Sequence, residues 1–245
     1  MDNIKKGQIK NAIAAGIVLI LILTAVVVVY KYSVEGEDNM PFKLSRIVIG
    51  SMVVSEDNKQ PNSTDGKIVQ NNGIYMELKK NDDYNDEAVI KKVEISDIKI
   101  TKKPQKGEVK IYMPNTTENE KFTYSDEFVI EGNSLTYNGA GKSDTTTLEI
   151  NNQGGVIAIA FGNTNLGDYS LTTEELKIDG TMLKPMGITD EDIEFSVNFD
   201  LVIYTEGKKF KTNVNLDLPI SKITEEGKAS KEITDTSEFV FKRTN

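Results

Sequence analysis

The side chains available for chemistry are few in kind, because the chain contains no His, no Cys and no Trp. Without His it lacks the usual general base near neutral pH and the commonest transition-metal ligand. Without Cys it lacks thiolate nucleophiles, disulfides and thiolate zinc sites. Carboxylates, lysines, hydroxyls and phenols remain. The most suggestive polar cluster is Asn81-Asp82-Asp83-Tyr84-Asn85-Asp86-Glu87. Asn81, Asp83 and Asn85 at alternate positions resemble the opening of a calcium loop, but Asp86 stands where the loop glycine belongs and Lys92 where its bidentate Glu belongs. The segment therefore reads as a solvated loop that caps the next element. Asp190-Glu191-Asp192 likewise reads as a charged turn before a hairpin.

A lysine can act as a base for a serine nucleophile when no His is present. Ser221-Lys222 and Ser230-Lys231 are adjacent, and Ser55 and Lys59 are four apart. None has the S-x-x-K spacing, and neighbours on a strand face opposite ways. Paired carboxylates could serve a glycosidase, but with 38 acidic residues a pair can always be drawn. No Walker A, G-x-G-x-x-G or G-x-S-x-G motif occurs. Tyr75, Tyr112, Tyr137 and Tyr204 fall in strand candidates on or near the less apolar face. Such a face could bind glycans or proteins, but is more often plain cross-strand packing. These residues assign no catalytic, cofactor-binding or metal-ligating position.

The elements that carry these residues divide into two parts. The run 12–30, AIAAGIVLILILTAVVVVY, holds no charge. At 1.5 Å per residue it spans about 28 Å, the thickness of a hydrocarbon core. Lys5, Lys6 and Lys10 precede it, while Glu35, Glu37 and Asp38 follow Lys31. The positive-inside rule then places residues 1–11 in the cytoplasm and everything after 30 outside, on a single-pass signal-anchor. The apolar run is long and no A-x-A-like site follows it, which argues against a cleaved signal peptide. Lys6-Gly7-Gln8-Ile9 before an apolar helix resembles the processing sites of archaeal pilins and archaellins, although Ala12 stands where many pilins have Glu. That resemblance would imply a filament subunit.

Formal net charge is −9 over 245 residues. Residues 1–31 hold four lysines against Asp2, a net of about +3, which leaves about −12 on the remainder. An acidic domain repels phosphate backbones, so nucleic acid is excluded as a partner. Residues 31–43 form a polar juxtamembrane linker, and 44–245 form one β domain. Phe195, Val197, Phe199, Leu201 and Ile203 alternate with polar residues. After the turn Glu206–Lys209 the same holds for Phe210 through Ile220, which predicts a long antiparallel hairpin. Shorter strands are predicted at Leu44–Val54, at Ile74–Leu78 after a turn at Asn71-Asn72-Gly73, and around Val93–Ile100 with a bulge at Ser96-Asp97. Further strands are predicted at Val109–Met113, Phe128–Ile130, Leu135–Tyr137 and Leu148–Ile150. Val156–Phe161 reads as a central strand. A short helix is expected near 173–186, opened by a capping box at Thr172–Glu175 and broken by Gly180 and Pro185. A further helical turn is expected at Glu87–Lys91. The fold class is mostly β: one N-terminal transmembrane helix and an extracytoplasmic antiparallel β-sandwich-like domain with one short helical segment.

Glu35–Phe42 beyond the apolar run, Val69–Asn72 before a Tyr-bearing strand, and Asn152–Gly155 before an apolar strand resemble segments of uncharacterised single-span membrane proteins from anaerobic, AT-rich Gram-positive bacteria. The resemblance implies a cell-membrane location and brings no activity and no functional residues. The expected function is a membrane-anchored binding or scaffolding module with proteins or glycans of the cell envelope as partners. A carboxylate-type enzyme and a filament subunit are the alternatives.

Overall fold

The computed structural model describes residues 17–30, 40–57, 65–84, 87–116, 122–142, 148–170 and 179–244. Residues 17–30 form a helix, α1. Among the described residues no helix is long and apolar enough to cross a membrane. The other five residues of the apolar run, 12–16, lie outside the described set.

Among the described residues eleven strands form two sheets. One has the order β10-β1-β2-β7-β4, from Lys228–Ile233, Phe42–Asp57, Asp65–Lys80, Gly154–Ser170 and Glu108–Tyr112. The other has the order β11-β9-β8-β3-β5-β6, from Lys242–Thr244, Lys209–Leu218, Phe195–Tyr204, Lys92–Lys102, Leu135–Ala140 and Glu149–Asn151. All pairings are antiparallel except β5–β6. The two inner faces share one core. Ile47, Ile49, Ile74, Met76, Ile159 and Phe161 come from the five-stranded sheet, and Val93, Tyr137, Phe195, Phe199, Ile203 and Phe210 from the other. The fold is therefore β-sandwich-like and mostly β, with burial alternating along β8 as far as Leu201 and along all of β9. A smaller cluster of Val53, Ile68, Leu166, Leu183, Ile193 and Ile223 closes one end.

The predicted β8–β9 hairpin is present, with Phe195 opposite Leu218 and Tyr204 opposite Lys209; Lys209 belongs to the strand and not to the turn, and the strand ends at Leu218, short of Ile220. The bulge lies where face alternation breaks, with Asp97 at φ 53 and the β3–β8 register shifting between Ser96 and Lys99. Other expectations are corrected. Asn71-Asn72-Gly73 is not a turn, because β2 runs straight through it. Tertiary partners override the local signal: Asn72 is buried, its Oδ1 accepts from Ser51 Oγ at 2.7 Å, and its Nδ2 donates to the Phe161 carbonyl at 3.2 Å. Phe128–Ile130 is a 3-10 turn (Asp126–Phe128) and a single bridge from Val129 to Tyr112. Glu87–Ile90 is irregular, with the Ile90 N–H bonded to the Asn152 carbonyl.

Of the expected helix the described part is a 3-10 helix, Gly180–Met186, which begins at Gly180 after an extended Asp179 and contains Pro185. Asp179 caps it by accepting from the Thr181 N–H at 2.9 Å. A side-chain carbon on Gly180 would collide with the Ile223 carbonyl, so only glycine lets this helix dock there. The capping box at Thr172–Glu175 lies outside the described residues.

Candidate functional site

The outer face of the five-stranded sheet carries the clearest candidate. On β2 and β7 the residues pointing away from the core are Asn71, Gly73 and Tyr75, and Ala158, Ala160 and Gly162. These small residues leave a shallow floor, over which Tyr112, Phe122 and Tyr124 lie as a cover. The rings meet edge-on: Tyr75–Phe122 at 5.7 Å and 61°, and Tyr112–Tyr124 at 5.1 Å and 68°. Edge-to-face pairs of this kind add about 0.5–1.5 kcal/mol beyond area burial. Gly162 is required by the close approach, since a Cβ there would lie 2.8 Å from Tyr112 Cε2.

Beneath the cover sits Asn71, only 2% exposed, with neither Oδ1 nor Nδ2 hydrogen-bonded. An unpaired buried carboxamide costs about 1–3 kcal/mol. Asn71→Leu is therefore expected to stabilise the fold by about 1–2 kcal/mol, read as a raised urea midpoint at unchanged slope. A loss of stability would mean that the carboxamide is satisfied in solution. The phenols around it are poor acids: burial raises the pKa of Tyr75, and burial with the neighbouring Tyr75 and Tyr112 raises that of Tyr124. They remain neutral, so the face offers ring edges and neutral hydroxyls, which suit stacking and polar contact better than proton transfer.

The four tyrosines named from the sequence do not form one face. Tyr75 and Tyr112 belong to the cluster just described. Tyr137 is in the core, where its hydroxyl donates to the Ala158 carbonyl at 2.6 Å and accepts from the Ala158 N–H at 3.0 Å. Tyr204 lies on the outer face of the other sheet, beneath Lys92 Nζ at 4.1 Å from the ring centroid. Phe122 and Tyr124 were missed, because they follow a polar stretch with no strand pattern.

Asn81 caps a turn through the Tyr84 N–H at 3.0 Å, while Asn85 and Asp86 lie outside the described residues. Asp190–Ile193 is a helical turn, α2, and not merely a charged turn. In it Thr189 N and Oγ1 donate to Asp192 Oδ2 at 2.8 and 2.9 Å. These bonds hold the Asp192 carboxyl below its usual range.

Asp190, Glu191 and Glu194 do meet Ser221 and Lys222, in an open cleft of about 600 Å³. Both Asp190 oxygens are occupied by Thr224, from N at 3.1 Å and from Oγ1 at 2.7 Å. Thr224 lies in the helical turn α3, Ile223–Glu226. Glu194 pairs with Lys102 at 2.5 Å, and Ser221 Oγ donates to Glu226 at 2.7 Å. The cleft thus clasps α2 to α3. Ser230 and Lys231 are exposed on β10, while the Ser55 side chain and Lys59 lie outside the described residues. Among the described residues no three acidic side chains gather as metal ligands would.

Comparisons with protein-family models, curated proteins and solved structures give no match to this chain.

Proposed function

We propose that the protein is a single-pass, membrane-anchored module whose β domain lies outside the cytoplasm and binds or scaffolds proteins or glycans of the cell envelope. The observation that carries this reading is the surface of α1. Its apolar side chains, from Ile17 at 54% to Val29 at 66%, are exposed on every side of the helix. A helix that is apolar all round needs a non-aqueous surrounding, and the uncharged run of which it is part has the length of a bilayer core. The tyrosine-bearing face above Asn71 supports a binding role.

Membranes washed with alkaline carbonate should retain the chain, and protease added to intact cells should remove the β domain. Release into the wash would overturn the anchor. Glu191 in the cleft between α2 and α3 favours a second reading, a carboxylate-type hydrolase. Envelope glycan turnover by purified protein that Glu191→Gln abolishes would establish it. A mature N-terminus beginning at Gln8 would instead favour the filament subunit.

A further inference from the structure

Cross-strand register on the outer face of the six-stranded sheet aligns two rows. Lys92, Tyr204, Lys209 and Thr244 form one, and Glu94, Val202, Lys211 and Lys242 the other. Glu94 is occupied by Lys92 at 3.0 Å and by the Tyr204 hydroxyl at 2.9 Å. Asp200 is occupied by Lys211 at 3.1 Å and Asn213 at 3.0 Å. Neither carboxylate forms an ion pair with Lys209 or Lys242, although Lys209 acts on Glu94 at longer range. Lys242 stands directly opposite Lys211, an arrangement of like charges that is unfavourable in an isolated sheet. With Lys211, Arg243 and two acids, Asp200 and Glu238, Lys242 also lines an open cleft of about 610 Å³.

These rows lie at the end of the sandwich where the chain enters it. Phe42, the first residue of β1, pairs with Lys80, and the neighbouring Lys79 pairs with Gly154. The Asn152 carbonyl beside that turn accepts from Ile90, and the Lys91 N–H donates to the Tyr204 carbonyl. Ten Cα–Cα steps lead from Tyr30 at the end of α1 to Met40. Even fully extended, they reach at most about 35 Å.

We infer that the lysine surface of Lys92, Lys209, Lys211 and Lys242 around Tyr204 rests on the anionic lipid headgroups of the membrane that anchors the chain. This rests on the reading that residues 12–30 span that membrane. Three observations favour lipid as the occupant. The amines of Lys209 and Lys242, which among the described residues form no ion pair of their own while Lys92 and Lys211 do, are complementary to phosphodiesters, and their end of the domain is tethered within reach of the bilayer. A tyrosine flanked by lysines is also the side-chain pairing that membrane interfaces favour. In a chain of net charge −9 such a surface orients the domain, because the remaining acidic surface is repelled from the bilayer.

The test uses the full chain reconstituted in nanodiscs of phosphatidylcholine, with or without phosphatidylglycerol. Acylation of each lysine by a water-soluble reagent is read by peptide mass spectrometry. Lys209 and Lys242 should react about fivefold more slowly in the anionic discs, the occupancy ratio given by the attraction of one lysine to such a surface. Lys184, at the other end of the domain, should not change. Salt at about 1 M should remove the difference. Lys209→Gln with Lys242→Gln should abolish the lipid-dependent protection of Lys92 and Lys211.

Equal rates in the two discs, with the chain inserted, would overturn the inference and leave the anchor standing. A chain that elutes apart from the discs would overturn the anchor and this inference with it. Protection by a soluble phosphate polymer in neutral discs, without any lipid effect, would overturn it in favour of a wall polymer.

Discussion

Tyr137→Phe should lower the unfolding free energy by about 2–4 kcal/mol, although it removes one oxygen atom and leaves the ring in place. The reason lies at the unpaired side of β7. β4 pairs with β7 only from Ala160 to Thr164, so among the described residues no strand flanks the backbone of Ala158 on that side. The Tyr137 hydroxyl, arriving from the opposite sheet, satisfies both the Ala158 N–H and its carbonyl. Ala158 is fully buried, so phenylalanine would leave two backbone groups unpaired and away from water. Urea unfolding of the full chain in detergent should show a lower midpoint with an unchanged slope. A shift below about 0.5 kcal/mol would mean that another donor and acceptor serve Ala158.

In alkali the fold should lose about 3 kcal/mol per pH unit once the pH passes the ordinary tyrosine value of about 10. Burial raises the pKa of Tyr137 well above that value, outweighing the opposing effect of its hydrogen bond to the Ala158 backbone. Burial also raises that of Tyr124, assisted by Tyr75 and Tyr112. In the unfolded chain both phenols ionise near pH 10. In the folded chain they hold their protons to a higher pH. Above pH 10 the folded state therefore binds more protons than the unfolded state, and stability falls as pH rises. The stabilisation is complete below pH 10 and disappears as the folded values are approached. Each phenol contributes about 1.4 kcal/mol per pH unit. Tyrosinate absorbance should rise in two stages, exposed phenols first and the buried ones together with loss of the β-sheet signal. A single smooth titration with the fold intact would show that these hydroxyls are hydrated.

Legibility in the sequence followed the range of the forces involved. β8 and β9 are one hairpin with one wet face, so period-2 alternation and the turn at Glu206–Lys209 were sufficient to place them. The bulge at Ser96-Asp97 was visible for the same reason, as a break in alternation. β10 was not visible, because Lys228–Ile233 is an edge strand whose side chains are mostly exposed and polar. Asn71-Asn72-Gly73 carries the local signature of a turn, and only partners far along the chain, Ser51 and Phe161, hold it extended. The candidate site suffered most. Tyr75 and Tyr112 could be named, but Phe122 and Tyr124 reach them from outside any regular element. The orphaned carboxamide of Asn71 exists only once the sheet is covered. Asp190 and Ser221 were picked out for their chemistry, and the fold uses both as fasteners.

The pairing of β10 with β1 has a consequence in time. Arg46 on β1 and Glu232 on β10 form an ion pair across 186 residues. At ordinary synthesis rates of about 5–20 residues per second, β10 follows β1 out of the ribosome by roughly 9–37 s. β1 and β2 are neighbours in sequence and can zip at once, but the far edge of β1 stays unmatched through that interval. An unmatched edge is a template for any other extended chain nearby. The edge that awaits its partner includes Ile47 and Ile49, both fully or almost fully buried in the finished domain. Production of this protein is therefore most vulnerable in the interval between the emergence of β2 and that of β10. A chain truncated before Lys228 should accumulate as aggregate and not as a folded fragment, whatever the affinity or partner of the completed domain.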